Sequence, residues 1–305
     1  MTNSANRLVV FSYGCDNLAS ALTDSLGGEL GKFEERTFPD GESYLRVSSE
    51  VTNKHCIVVA NLSRPNNKLL PLLFLLGALK DLGGLKVGLV APYLSYMRQD
   101  KRFMKGEALT SKVFASVISA HADFLLTVDP HLHRYRSLND IYTIPSKVVH
   151  GAPVLAQWLT TLNRVFLVGP DAESRQWVES IAKISGHPYV IGEKKRLGDR
   201  EVQVTLPSIE HLQGLNAVII DDVISSGHTI LDCVKSLQSK GIGNISCAAI
   251  HGIFADNIDK KLLLAGIDEL VTCNTIEHSS NGINIVHILS QGVIDFLPEF
   301  GGALS

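Results

Sequence analysis

The sequence predicts an α/β fold of two tandem domains, each a mainly parallel sheet flanked by helices, and three observations carry that prediction. Short apolar, β-branched runs alternate with helical patterns nearly from end to end. The strand candidates are apolar throughout instead of alternating, which marks strands buried on both faces. The chain has 305 residues, more than one core usually organises, so two domains of about 150 residues are the natural expectation.

Taken in order, the strand candidates are Leu8–Ser12, Cys56–Asn61, Lys86–Ala91, Phe124–Val128, Val165–Val168, Ala217–Ile220, Ile245–Ile250 and Glu269–Thr272. Helical periodicity falls between them, at Leu70–Leu82, Ser111–His121, Val154–Thr161, Glu173–Ile184, Thr229–Ser239 and Ile258–Ala265. Glu35–Phe38 and Tyr44–Val47 flank the turn PDGE, whose Asp-Gly pair signals a hairpin. The stretch Tyr142–Pro153, with two prolines and a glycine, is the weakest point of the pattern. It sets the expected domains at 1–148 and 149–305. Their similar strand-helix rhythm suggests a duplicated fold.

Composition narrows the function. Apolar residues make up 45% and charged residues 19%, and the net charge is −3, so there is no cationic footprint for nucleic acid. The five cysteines stand in no paired short spacing, which argues against a disulfide framework or zinc site and suits a reducing cytoplasm. The N-terminus lacks the pattern of a signal peptide. The greasiest run, Leu69–Leu79, is broken by Pro71 and is about half the length a bilayer needs, so no membrane partner is expected.

The segment VIIDDVISSGHTI, Val218–Ile230, carries the most chemistry. An apolar strand ends in Asp221 and Asp222, small polar residues Ser225, Ser226 and Gly227 follow, and His228 and Thr229 lead into a helix. Ligands of open α/β sheets sit where strands end and helices begin. Free amides at a helix start favour an anion, and small side chains let a phosphate approach the backbone. Adjacent carboxylates suit vicinal hydroxyls, since each hydroxyl needs an acceptor. Phosphate at one end and diol at the other describe a pentose 5-phosphate. The competing reading is a turn in which Asp222 and the serines merely cap a helix.

That segment resembles the phosphoribosyl-pyrophosphate binding signature shared by type I phosphoribosyltransferases and ribose-phosphate pyrophosphokinases. In much of that superfamily the loop reads more like DTGGT; Ser225, Ser226 and His228 depart from it, and the serine resembles archaeal-type members. Four further segments resemble the pyrophosphokinases in particular, in the family's order along the chain.

FPDGESYLR, Phe38–Arg46, resembles the family's ATP hairpin, which completes a neighbouring subunit's site. Phe38 would pack on adenine while Asp40 and Glu42 accept from its amino group or the ribose; a plain β-turn is the alternative. APYLSYMRQDKRF, Ala91–Phe103, resembles the RQD-type loop. Its Arg98, Lys101 and Arg102 supply positive charge for a triphosphate and Gln99 a hydrogen bond, against the reading of a solvated basic surface. VDPHLHRY, Val128–Tyr135, resembles the VDLH-like motif. The resemblance makes His131 a magnesium ligand and leaves His133 structural; a strand-end histidine is the alternative. VGPDAES, Val168–Ser174, places Asp171 where the family has a second magnesium-associated aspartate, though it equally suits a helix cap. Between it and the phosphate loop, GEKKRLGDREVQV resembles the catalytic flexible loop, whose KxR pattern maps to Lys194 and Arg196; a solvated turn is the alternative.

The resemblance implies two tandem type I phosphoribosyltransferase-like domains and transfer of the β,γ-pyrophosphoryl group of ATP to ribose 5-phosphate. It further implies a Mg2+ requirement and a homo-oligomer with shared ATP sites. A phosphoribosyltransferase explains the ribose-phosphate loop but not the first half, and a non-catalytic nucleotide-binding regulatory homologue remains a third reading.

Overall fold

The apolar runs become parallel ladders. The computed structural model describes residues 7–132, 134–196 and 202–298, in two units: up to His150 together with the residues from Val286 on, and Gly151–Ile285.

In chain order the first unit holds β1 (Leu8–Tyr13), α1 (Asp16–Leu26), β2 (Glu29–Leu30), β3 (Phe33–Thr37), β4 (Ser43–Val47), β5 (His55–Ala60), α2 (Asn66–Asp81), β6 (Lys86–Ala91), α3 (Thr110–His121), β7 (Phe124–Val128) and β8 (Ser146–Val149). The second holds α4 (Ala152–Leu159), β9 (Val165–Gly169), α5 (Arg175–Ser185), β10 (Tyr189–Ile191), β11 (Glu193–Arg196), β12 (Val202–Thr205), β13 (Asn216–Ile224), α6 (His228–Ser239), β14 (Ile245–Gly252), α7 (Ile258–Leu264), β15 (Glu269–Cys273) and β16 (Asn281–Ile283). A final helix, α8 (Val286–Ile294), belongs to the first unit.

The first unit's sheet runs β2-β1-β5-β6-β7-β8 and the second unit's β10-β9-β13-β14-β15-β16, every neighbour parallel. The two orders are the same pattern. Each unit also inserts an antiparallel two-stranded ribbon after its edge strand, β3-β4 in one and β11-β12 in the other. Duplication is therefore plain in topology. In both sheets the order reverses beside the first strand, which opens a crevice at the carboxyl ends of β1 and β5, and of β9 and β13. Every residue of β7 and β9 is buried, as the continuous apolar runs require.

Three expectations are corrected. The break falls after His150, not Val148, and the residues from Val286 return to the first unit instead of ending the second domain. Contacts within the first unit explain that return. The Ser25 and Ser290 hydroxyls lie 2.7 Å apart, Lys86 Nζ donates to Phe296 O at 3.0 Å, Lys147 pairs with Asp295, and the Phe296 ring stacks on Phe124 at 4.4 Å.

The helix expected at Leu70–Leu82 starts four residues earlier, at Asn66, and runs through Pro71. Pro71 sits in the second turn, where its missing N–H forfeits one ladder bond, and its ring is buried with Leu72, Leu75, Leu76 and Leu79. The strand expected to stop at Ile220 continues to Ile224, because β14 extends equally and pairs Asp221 with Ala249 and Val223 with His251. No helix of the described residues is long and apolar enough to cross a membrane.

Leu289 of α8 is fully buried. Leu289→Ala should cost about 2–5 kcal/mol on unfolding, and hydrogen exchange should speed up in α1 and β7 while β13 and β14 stay protected. Loss of protection in β13 and β14 instead would refute the assignment of α8 to the first unit.

Candidate active site

In the second unit the chemistry gathers at the crevice between β9 and β13. β9 ends in Gly169, and Asp171 follows with an extended backbone. Its Oδ1 accepts from the amides of Glu173 (3.0 Å) and Ser174 (3.3 Å), so it caps the short 3-10 turn that opens α5. The capping reading is thus realised.

The charge of Asp171 also reaches Asp221, which stands beside Asp222 on β13. Asp221 keeps some exposed surface, yet its carboxyl is packed deeply and is pushed well above the usual carboxylate range. Burial is the main cause, followed by the charge of Asp222 and a hydrogen bond with it, then the charge of Asp171. The structure therefore brings Asp171, Asp221 and Asp222 into one electrostatic cluster. Such a cluster invites hydroxyl donors or a cation, either of which relieves the repulsion.

The phosphate-loop candidate follows directly. Gly227 has φ +65°, and a Cβ built there would sit 2.4 Å from Ile258 Cγ1, so both backbone and space demand glycine. The helical ladder of α6 opens with Leu231 N donating to Gly227 O at 2.9 Å, and a helix start leaves the amides of its first turn outside the ladder. α6 begins at His228, one residue before the expected Thr229, and the His228 side chain is exposed beside the serines. The loop is backed by the segment after β14: Ala255 N donates to Ser225 O at 3.0 Å, and both Ile253 N and Phe254 N donate to Ile224 O. That backing segment holds Phe254, Asp256 and Asn257 at positive φ. Asp256 and Asn257 are residue types that tolerate this region, a local signal that sequence reading left unused.

The ribbon carrying Lys194 and Arg196 is rooted at the same place. Gly192 N donates to Gly169 O at 2.7 Å, and a Cβ on Gly192 would meet Pro170 O at 2.7 Å. β11 and β12 pair Lys194 with Val204 and Arg196 with Val202, so positions 194 and 196 share one face of the ribbon. The tip, residues 197–201, lies outside the described residues.

In the first unit, the hairpin turn holds Phe38, Asp40 and Glu42. Phe38 belongs to the turn instead of ending β3, and its N–H donates to Glu42 O at 2.7 Å. Asp40 Oδ1 accepts from Glu42 N at 3.1 Å, so this carboxylate helps build the turn. The Phe38 ring is 37% exposed. The Arg36 guanidinium stands 4.7 Å from the Phe38 ring and 4.2 Å from the Tyr44 ring, stiffening an aromatic surface that faces away from the unit's own core.

The loop after β6 is anchored by buried Leu94, Ser95 and Met97 and leaves Arg98, Lys101 and Arg102 exposed. Gln99 is held, with Thr110 Oγ1 donating to its Oε1 at 3.1 Å. Glu107 closes the far side of the loop by accepting from Phe103 N at 2.6 Å and Met104 N at 3.1 Å. His131 is half-buried just past β7, whereas His133 lies outside the described residues. Beside His131, buried Asp129 (φ +36°) bonds His150 Nδ1 at 2.8 Å, and that bond raises the His150 pKa against an opposing effect of burial. Asp129, Asp100 and Arg134 were not singled out in the sequence; only their places beside quoted motif residues marked them.

Comparison with known proteins bears on this arrangement. Residues 8–121 match the family described as the N-terminal domain of ribose phosphate pyrophosphokinase, and residues 137–286 match the phosphoribosyl transferase domain family. A ribose-phosphate pyrophosphokinase of Sulfurisphaera tokodaii is 31% identical over 286 residues, covering 92% of this chain and 97% of the relative. One from Sulfolobus acidocaldarius is 33% identical over 272 residues, covering 88% and 92%. The crystal structure of phosphoribosylpyrophosphate synthetase from Mycobacterium smegmatis superposes with a TM-score of 0.83 at 21% identity, over 96% of this chain and all of that one, a likeness of fold.

The carboxylate cluster has a measurable signature in protein free of ligand and divalent cations. The folded state holds the Asp221 proton more tightly than the unfolded chain does. Its contribution to stability is therefore full at low pH and is lost as pH rises from about 4, where an unfolded aspartate titrates. Asp221→Asn escapes that loss, so its Tm should gain on the wild type steadily as pH rises from 4 toward neutrality. Parallel Tm curves would show that the cluster is not strained.

Proposed function

The chain belongs to the ribose-phosphate pyrophosphokinase family, and from that premise we propose that it joins the anomeric hydroxyl of ribose 5-phosphate to the β-phosphorus of ATP. The bond from that phosphorus to the α,β-bridging oxygen breaks, AMP leaves, and the hydroxyl proton passes to solvent. The observation that carries this reading is the crevice between β9 and β13, where a carboxylate cluster, a glycine-dependent phosphate loop and the rooted Lys194–Arg196 ribbon meet within one unit.

In this reading Asp221 and Asp222 accept hydrogen bonds from the ribose hydroxyls, and those bonds favour the ionised form of Asp221. The backbone at Ser225, Ser226, Gly227, His228 and Thr229 takes the 5-phosphate through the amides of the helix start. Phe38 packs on adenine, with Asp40 and Glu42 at its edge, while Arg98, Gln99 and Lys101 take the triphosphate. The hairpin's outward aromatic surface favours a homo-oligomer in which it completes the ATP site of a neighbouring copy.

The donor set fits magnesium that arrives with ATP. Among the described residues no three His, Cys, Asp or Glu side chains, the three aspartates of the crevice included, are placed to hold a metal ion by themselves, and this ion commonly takes one or two protein ligands beside phosphate oxygens. His131 and Asp171 would hold it. When bound, it neutralises charge on the β- and γ-phosphates.

The transition state of such a transfer is loose, so positioning and charge stabilisation supply most of the rate. Lys194 and Arg196 would supply that charge as the ribbon closes, which also keeps water from the phosphorus.

Purified protein with Mg-ATP and ribose 5-phosphate should release AMP and a pyrophosphorylated sugar, read by phosphorus NMR. Lys194→Ala should lower kcat by about 100-fold or more with little change in the KM for ATP. Absence of AMP across broad magnesium and phosphate conditions would overturn the reaction. An unchanged kcat would overturn the role of Lys194.

A further inference from the structure

We propose that Asp100 is a positioning residue: through its pair with Arg134 it ties the loop carrying Arg98, Gln99 and Lys101 to the loop carrying His131. The inference rests on the reading above, in which the first loop takes the triphosphate and the second holds its metal ion.

Asp100 differs from its basic neighbours in being inside. Its side chain is 2% exposed, and Arg134 Nη1 donates to Oδ1 at 2.7 Å. The other oxygen, Oδ2, is buried with no hydrogen-bond partner among the described residues. A carboxylate buried behind one cation, with an oxygen left unsatisfied, is a poor way to stabilise a fold. A well-packed apolar residue in its place usually serves stability as well or better. What such a pair does supply is register, because Arg134, with its side chain 45% exposed, cannot swing away without stranding the buried Asp100 charge.

The register it fixes here joins three pieces of the first unit. Asp100 sits between Gln99 and Lys101, and Arg134 stands three residues beyond His131. Neutral bonds converge on the same corner from the start of α3. Ser111 Oγ donates to Gln99 O at 2.9 Å and lies 3.0 Å from the Tyr135 hydroxyl, which in turn reaches Asp100 O at 3.4 Å. The pair also steers the surrounding charge. With its guanidinium held by Asp100, Arg134 stands 5.9 Å from the exposed Phe103 ring, which Lys101 Nζ also covers at 4.6 Å. Loss of the carboxylate strengthens the repulsion among the cations of this loop.

Asp100→Asn keeps the shape and removes the charge. In the full-length enzyme it should raise the KM for Mg-ATP about tenfold and raise the magnesium concentration for half-maximal rate, leaving the KM for ribose 5-phosphate within about twofold. Calorimetric binding of Mg-ATP should weaken to the same degree. Arg134→Leu should act alike, and the double variant should be no worse than either single one, since both break one interaction.

An active wild type whose Asp100→Asn variant keeps its KM for Mg-ATP would overturn the inference and leave the reaction standing. So would additive losses in the double variant, or equal rises in both KM values, the mark of a merely structural role. A wild type that forms no AMP would instead sink the reaction itself. Should Asp100→Asn not fold, Arg134→Gln, which removes the charge at the partly exposed partner, carries the test through the same rise in KM for Mg-ATP.

Discussion

Carboxylates crowded at the ends of two adjacent parallel strands set the problem that the second unit is built to hold. Asp171 and Asp221 reach the same crevice because β9 and β13 are neighbours in the sheet, and a parallel sheet delivers all its carboxyl ends to one edge. Left alone, the cluster favours a proton on Asp221. A substrate rich in hydroxyl donors turns that penalty into binding, since each hydroxyl finds an acceptor that had been underused. Every surrounding feature keeps this edge narrow and fixed: the cap that orients Asp171, the Gly192 backbone drawn against Pro170, and the phosphate loop seated on Ile258.

The first unit keeps the same strand order without the same chemistry. Beside its corresponding crevice, the segment that follows β5 bonds its own polar groups to one another. Lys68 Nζ donates to Asn61 O and Ser63 O, and Ser63 donates to Asn61 Oδ1 through both its amide and its hydroxyl. Duplicated topology therefore carries different groups at its two edges, carboxylates at one and a lysine held by local carbonyls at the other. The residues assigned here to ATP lie elsewhere in that unit, on the inserted ribbon and on the loops after β6 and β7.

Much of this was legible in the sequence, for identifiable reasons. All eight apolar runs became parallel strands because burial on both faces leaves no room for polar alternation. The Asp-Gly turn and Asp171 were readable because their roles are satisfied within a few residues. What escaped depended on distant partners. Where β13 ends was set by the length of β14, and the edge strands β2, β10 and β16 are too short to show a period. Asp100 looked like one more charged loop residue, since nothing local reveals that Arg134 would take it inside. The start of α2 at Asn66 escaped for another reason: a proline suits the first turn of a helix, so Pro71 hid the turn that precedes it.

The return of α8 to the first unit makes the second unit an insertion, entered after β8 and left before Val286. Synthesis and assembly then run in different orders. The contiguous unit, residues 151–285, has all its strands in hand while the ribosome still holds the helix that closes its predecessor. The unit made first is thus the one finished last, with the surface that α8 will cover waiting through the synthesis of an entire second domain.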